Sequence, residues 1–257
     1  MGVRHHVRLK LIFLAVAFFI IGVVLTVYPL FTSSSNYTDV ARVFGGMFIG
    51  QVTLVIPEYL HARELDIAHR KNALAAFLLG VDVSTIALGG TQVTSGWAKF
   101  LGRINAYSIR LNLGATLDEK VSDVDSIIRS TNTQPMPEIK NLLEYLEGLL
   151  QDSHPSLYNV YEAGTQIPAV LNVVVHISDP SYGGLFDKAM NNISLQMDKA
   201  GRNGKNRDLV QEIAALVLDP LRRFDNQPTS QNGISDVVNE VEVNIEKLRD
   251  VYTRLTD

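Results

Sequence analysis

An uncharged segment near the N-terminus constrains this chain more than any other feature. Residues 11–31 (LIFLAVAFFIIGVVLTVYPLF) carry no charged side chain, and they reach roughly the 20 residues that a helix needs to cross a bilayer. Arg4, Arg8 and Lys10 precede the segment. Because positive charge accumulates on the cytoplasmic side of membrane helices, residues 1–10 are expected in the cytoplasm. We therefore expect an integral membrane protein, with the lipid bilayer as its first partner.

A cleaved signal peptide is the alternative interpretation of this segment. Such a peptide has a basic start, an apolar run of about 7–15 residues and a small-x-small cleavage site. Here the apolar run is longer and closes on bulky residues, and the nearest small pair is Ser33-x-Ser35. An uncleaved membrane helix fits these features better.

Two further apolar segments predict spans near residues 41–60 and 73–95. Residues 43–59 have no charge before Glu58, and residues 73–97 contain one, Asp82. Each run is nearly continuous, without the 3.6-residue alternation of a half-exposed helix. Both also carry small residues at the spacing that lets helices approach closely in lipid. These packing residues are Gly46, Gly50, Ala76, Gly80 and Ser84. The alternative is a pair of buried helices in a soluble domain.

The loops between these segments predict which side of the membrane they face. Residues 32–39 lack Lys and Arg and suit the outside, whereas residues 61–72 carry Arg63, Arg70 and Lys71 and suit the cytoplasm. With three spans, residues 98–257 form an extracytoplasmic domain. If the third segment does not span, the domain is cytoplasmic instead.

Two polar side chains fall within the second and third segments. If residues 61–72 form a tight loop, Gln51 and Asp82 lie at the same depth, roughly 13 Å from the inner surface. We predict that they form an intramembrane polar pair. An ionisable group at this depth costs about 3 kcal/mol to insert. Asp82 therefore either lines a polar path, such as a proton relay, or is a protonated group that holds helices together.

From residue 113 onward the sequence predicts helices that pack through apolar stripes. A capping box at Thr116 and Glu119 predicts the start of one helix, and Pro137 suits the first turn of the next. The two apolar stripes are Leu117, Val121, Val124 and Ile128, then Ile139, Leu142, Leu143, Leu146 and Leu150.

The last predicted helix, residues 234–255, carries a heptad seam. The seam residues are Ile234, Val238, Val241, Ile245, Leu248, Tyr252 and Leu255. A two-stranded coiled coil would place charged residues beside this seam. The flanking residues here are Val237, Asn244 and Val251, which favours burial within one domain. We predict that the helix packs against the two stripes and closes a bundle.

The sequence shows no catalytic, cofactor-binding or metal-binding motif. The chain has no cysteine, which excludes disulfides and thiolate metal sites. Its net charge of −4 leaves no basic surplus for nucleic acid. Glu58-x-x-His61 and Asp66-x-x-His69 have the spacing of metal ligands on a helix. They fall in the predicted surface loop, however, and we interpret them as a solvated polar face.

Together these features predict an all-α protein with about three N-terminal transmembrane helices and a C-terminal helical-bundle domain. The expected function is non-enzymatic: a structural or accessory subunit, or an anchored interaction module, of a membrane assembly. Its expected partners are other membrane protein subunits or further copies of itself. Two alternatives stay open. One is a sensory receptor with an extracytoplasmic ligand-binding domain, and the other is a transporter or channel component that uses Asp82.

Overall fold

The structure, a computed structural model, is helical throughout nearly all of the chain that it describes. It describes Ile20 and residues 36–89, 94–131, 136–177, 183–202, 204–225 and 231–255, and the side chains of residues 36–56 are outside this description. No strand occurs within these ranges, so the all-α prediction is confirmed. The first predicted span, residues 11–31, lies outside the described residues apart from Ile20.

Helix α1, Asn36–Gly89, contains the second predicted segment and residues 73–89 of the third. It is 54 residues long and continues through Pro57. The loop predicted at residues 61–72 is wrong, because all of them are helical. Glu, Leu, Ala and Arg, which are strong helix formers, make up much of this stretch, and Gly is absent from it. The chain divides into two compact units, Met1–Asp66 and Ile67–Asp257, and their boundary falls within α1.

The third predicted segment forms part of the core of the second unit. Residues 73–83 are all buried, and the side chains from Leu74 to Leu79 are 0% exposed. Among the described residues one segment, Pro57–Leu88, is long and apolar enough to cross a membrane, and most of its apolar window is buried in the protein. Three spans are therefore not confirmed. A helix surrounded by protein is apolar on every side, so burial accounts for the composition of residues 73–83 without lipid.

The other helices belong to the second unit. They are α2 (Thr94–Leu111), α3 (Ala115–Thr131), α4 (Met136–Ser153), α5 (Pro155–Val175), α6 (Gly183–Arg202), α7 (Arg207–Ile213), a π-helical segment (Ala214–Leu218), α8 (Asp219–Asp225) and α9 (Gln231–Arg254). Each helix from α2 to α6 packs on the next one along the chain. Short connections favour antiparallel neighbours of this kind.

Helices α3 and α4 bury the stripes that their sequences predict. The buried residues are Leu117, Val121, Val124 and Ile128 on α3, and Ile139, Leu142, Leu146 and Leu150 on α4. Leu143 is half-buried. The predicted capping box is wrong, because α3 begins at Ala115 and Thr116 lies inside it.

A tight turn joins α2 to α3. Asn112 has a φ of 54° and Gly114 a φ of 90°, both in the left-handed region that ends helices. The amide of Leu113 donates to the Ser108 carbonyl at 3.2 Å, which is the bond of a Schellman motif. The Ser108 hydroxyl also donates to Asp118 Oδ1 at 2.7 Å. These contacts fix α2 and α3 as a hairpin.

The seam of α9 faces the core of the second unit. Ile234, Val241, Ile245, Leu248 and Tyr252 are buried, and Val238 and Leu255 are half-buried. The predicted partners need correction. The principal contacts of α9 are with α5, the π-helical segment and α8, rather than with the stripes of α3 and α4. The cause is that α5 and the segments after α6 carry buried faces of their own.

A proline is accommodated inside the helical run that follows α7. Pro220 has no N–H, so the carbonyl of Leu216, four residues earlier, cannot receive its usual helical bond. The Asn244 side chain of α9 donates to that carbonyl at 2.7 Å, and Asn244 is 6% exposed. A side-chain donor thus takes the place of the missing backbone donor, and the π-helical segment lies at this point.

Helices α1 and α5 cross at two glycines. A methyl group added to Gly80 would overlap the carbonyl of Tyr161, and one added to Gly164 would overlap the carbonyl of Phe77. The two backbones can approach this closely only because neither position carries a side chain. Gly80 therefore lies at a close helix contact, as its spacing suggests, but the neighbour is α5 of the same unit. Ala76 is buried in the same region and Ser84 is half-buried.

Candidate functional site

The carboxylate of Asp82 is buried in the second unit, where two arginines contact it. Asp82 is 4% exposed. Arg249 of α9 donates from Nη2 to Oδ1 at 2.5 Å and from Nη1 to Oδ2 at 3.2 Å. Arg103 of α2 donates from Nη1 to Oδ1 at 2.9 Å. We refer to Asp82, Arg103, Tyr107 and Arg249 as the Asp82 centre. It joins α1, α2 and α9.

The two arginines differ in how far they are removed from water. The Arg249 side chain is 16% exposed, and that of Arg103 is 46% exposed. Arg249 contacts the carboxylate with both arms of its guanidinium, a geometry that strengthens an ion pair and fixes its orientation. Arg103 is partly screened by water, so its contribution is smaller. The pair of Asp82 and Arg249 is therefore the core of the centre.

Tyr107 completes the centre. Its hydroxyl oxygen accepts a hydrogen bond from Arg249 Nη1 at 3.2 Å. Burial, together with the negative charge of Asp82, raises the pKa of Tyr107 to about 12. Burial by itself lowers the pKa of Arg249. The hydrogen bond to Asp82 and the negative charge of Asp82 raise it by more, so the pKa of Arg249 lies above its usual value. At neutral pH the phenol keeps its proton and the guanidinium keeps its charge. The arrangement holds helices together and offers no proton acceptor on either residue.

An aromatic contact borders the centre. The rings of Tyr107 and Tyr252 meet edge to face, with centroids 5.3 Å apart. The Arg110 guanidinium lies over the Tyr252 ring, 5.0 Å from its centroid. Aromatic pairs and cation–π contacts each add a modest, directional stabilisation. They attach the end of α9 to α2 beside the ion pair.

A second polar contact fixes the start of the buried part of α1. His69 Nε2 and Asn206 Oδ1 lie 2.7 Å apart, and Asn206, 0% exposed, donates from Nδ2 to the Ser156 carbonyl at 3.1 Å. Because the amide oxygen can only accept, Nε2 of His69 is assigned as the donor. Arg70 forms an ion pair with Glu212 of α7. His69 thus belongs to an internal contact, which corrects its interpretation as part of a solvated face.

The intramembrane pair predicted for Gln51 and Asp82 required a tight loop at residues 61–72. Helix α1 is continuous through these residues, so that loop is not formed. The side chain of Gln51 lies outside the described residues. The same holds for the contacts predicted at Gly46 and Gly50. Asp82 has both carboxylate oxygens hydrogen-bonded to arginines.

The sequence did not indicate the contacts of Arg103, Arg249 or Asn206. For Asn244 it indicated burial beside the seam but not its partner, the carbonyl of Leu216. One signal was present for Arg249, which directly follows Leu248 of the seam. A cation at the edge of an apolar seam and a single acid inside an apolar segment each need a partner when buried. Nothing in the spacing of two residues 167 positions apart predicts that they meet.

In the part of the chain that the structure describes, no group of three or more His, Asp or Glu side chains could hold a metal ion. Comparison of the chain with protein family models, with curated proteins and with solved structures found no match.

Proposed function

We propose that this protein is a non-enzymatic interaction module or accessory subunit, anchored in a membrane by two N-terminal spans near residues 11–31 and 41–60. The observation that carries the proposal is the position of the third apolar segment. Residues 73–83 are buried among helices of the second unit, and Asp82 within them is paired with arginines. Residues 73–83 thus belong to the core of the helical domain, and two apolar segments are left to span the membrane.

Two spans instead of three change the orientation of the domain. Arg4, Arg8 and Lys10 still favour a cytoplasmic N-terminus, and a second crossing returns the chain to the same side. Arg63, Arg70 and Lys71 are then cytoplasmic as well, in agreement with the same rule. We accordingly propose that the helical domain faces the cytoplasm, in place of the extracytoplasmic position expected from three spans.

A role in assembly is supported by what the buried polar groups do. Asp82, Asn206 and Asn244 each connect different helices through hydrogen bonds of their side chains. Buried polar networks of this kind fix one arrangement of helices. A rigid helical domain on a membrane anchor suits the binding of other subunits.

The two alternatives receive less support. A receptor that senses an external ligand would need its helical domain outside, whereas the proposed topology leaves only residues 32–39 there. A transporter that uses Asp82 would need a carboxylate free to change its state, whereas both oxygens of Asp82 accept hydrogen bonds from guanidinium groups.

The absence of cysteine makes the topology directly testable. Ser34→Cys lies in the predicted outer loop, and Asn191→Cys lies at an exposed position of α6. Intact cells are treated with a membrane-impermeant maleimide, and the cysteine-free parent chain is the control. We expect Ser34→Cys to react in intact cells and Asn191→Cys to react only after lysis. Reaction of Asn191→Cys in intact cells would restore the extracytoplasmic orientation and the receptor alternative.

The assembly role is tested by purification of the full chain in mild detergent. We expect a complex of fixed stoichiometry, containing either other membrane subunits or further copies of this chain. A monomer that binds a small solute saturably would contradict the proposal.

A further inference from the structure

The outer surface of the α2–α3 hairpin carries opposite charges on its two helices. Helix α2 contains Lys99, Arg103 and Arg110 and no acidic residue, and all three are exposed. Helix α3 exposes Glu119 and Asp123, and its exposed cation Arg129 is paired with Asp125 of the same helix. The chain as a whole is acidic, with a net charge of −4. Within the domain, Arg103 contacts Asp82 and Arg110 lies over the Tyr252 ring. Lys99 is the cation of this face that these contacts leave to be explained.

An apolar strip accompanies the basic side chains of α2. Ile109 is 70% exposed, more than any other large apolar side chain in the described part of the chain. Ala98, Gly102 and Ala106 are exposed beside it, and a methyl group added at Gly102 would meet nothing within 4 Å. Apolar surface rimmed by charge is typical of protein interaction sites.

In the hairpin, basic residues of α2 and acidic residues of α3 lie at the same level along the helix axes. The turn at residues 112–114 and the bond between Ser108 and Asp118 hold α2 and α3 together. Residues equally distant from Leu113 along antiparallel helices lie at the same level. Arg103 and Asp123 are each ten positions from Leu113, and Lys99 is one helical turn beyond Arg103. A surface that carries both charges in this way is complementary to itself.

We propose that this surface is a homodimer interface in which α2 of one copy lies on α3 of a second copy. The twofold axis runs parallel to the hairpin, so both contacts are identical, as an isologous interface requires. Asp123 of each copy then faces Arg103 and Lys99 of the other, and Ile109 becomes covered. The inference extends the proposed function by naming a partner. It can fail separately, because the cysteine-labelling result does not depend on dimerisation.

Charge reversal tests the interface. Lys99→Glu and Asp123→Lys are placed separately and together in the full chain, and dimerisation in detergent is measured by analytical ultracentrifugation. Each substitution occurs twice in the dimer, so we expect each single variant to raise the Kd at least about tenfold. The double variant restores opposite charges across the interface, and its Kd should return to within about threefold of the parent value.

The control is Lys140→Glu, an exposed reversal on α4, which should leave the Kd unchanged. Thermal melting monitored by circular dichroism checks that each variant is folded. If a reversed variant melts early, Lys99→Gln and Asp123→Asn replace it and should weaken the dimer in the same direction. The proposal is overturned by a parent chain that stays monomeric at about 0.1 mM. It is equally overturned by a dimer that is insensitive to both reversals, or by a double variant no tighter than the weaker single one.

Discussion

Asp82→Asn tests the Asp82 centre directly, because it keeps the size of the side chain and removes its charge. One oxygen becomes an N–H donor, and an amide donor facing guanidinium donors cannot form a hydrogen bond with them. Arg249, mostly buried, loses the buried carboxylate that both arms of its guanidinium contact and retains the ion pair of its Nε with the exposed Glu246. Arg103 loses its contact with Asp82 as well. The substitution should therefore destabilise the second unit strongly.

The magnitude follows from the exposure of the partners. Removing one member of a buried ion pair costs about 3–5 kcal/mol. Arg103 can be rehydrated, since its side chain is 46% exposed, so the lower end, about 3 kcal/mol, applies here. For a domain of 150–250 residues, 1 kcal/mol shifts the Tm by roughly 2–4 °C. The expected fall in Tm is thus about 6–12 °C.

Thermal unfolding of the full chain in detergent, followed by circular dichroism, measures this shift. Arg103→Met serves as the matched control and should cost no more than about 1 kcal/mol. Arg249→Met should cost about as much as Asp82→Asn. The double replacement Asp82→Leu with Arg249→Met should recover most of the loss, because a buried pair can be replaced by apolar residues of similar volume at little cost.

Independent behaviour of the two positions would refute the reasoning. If Asp82→Asn leaves the Tm unchanged, or if the losses from Asp82 and Arg249 simply add, the two side chains do not form a buried pair. An unchanged or higher Tm for Asp82→Asn is the result expected of an acid that lies in lipid and is protonated there.

Three further measurements test other contacts of the domain. Gly80→Ala should lower the free energy of unfolding by about 1–3 kcal/mol, because its methyl group would overlap a carbonyl of α5. Gly148→Ala, where nothing lies within 4 Å, should instead raise it by up to about 1 kcal/mol, and urea titration compares the two; equal effects would count against the close crossing. Asn244→Leu should cost about 1–3 kcal/mol by leaving a carbonyl without its donor, which a melt identical to the parent's would contradict. Folding raises the pKa of Tyr107 from its ordinary value of 10.0 to about 12. The unfolded chain therefore loses this proton at a lower pH than the folded chain, and the free energy of unfolding should fall by roughly 3 kcal/mol at most as the pH rises through this range. Tyr107→Phe should lose less stability over the same alkaline range.

The amphipathic helices of this protein could be predicted from the sequence. The stripes of α3 and α4 and the seam of α9 face the core because a helix with one apolar side has one way to bury it. The neighbours of each helix could not be predicted in the same way. A stripe states which face is buried but not what covers it, and α9 accordingly packs on α5 rather than on α3 and α4.

The third apolar segment shows a different limit. Residues 73–83 are apolar on all sides, and a helix enclosed by protein has the same pattern as a helix enclosed by lipid. Asp82 carried the information that separates the two environments, because a buried charge requires a countercharge. That countercharge lies on α9, far along the chain, and only the three-dimensional structure connects them.

The carbonyl of Leu216 makes the effects of substitutions at Pro220 and Asn244 depend on each other. While Pro220 is present, this carbonyl depends on Asn244 for its hydrogen bond, so loss of Asn244 alone is harmful. Replacement of Pro220 by a residue with an N–H would supply a backbone donor and release Asn244 from that duty. Asn244 can therefore be replaced with little loss of stability after Pro220 has been replaced, whereas replacing Asn244 first destabilises the domain. Descendants of this sequence would be expected to exchange Pro220 before Asn244, and an Asn244 variant selected for recovered stability should acquire its second change at position 220.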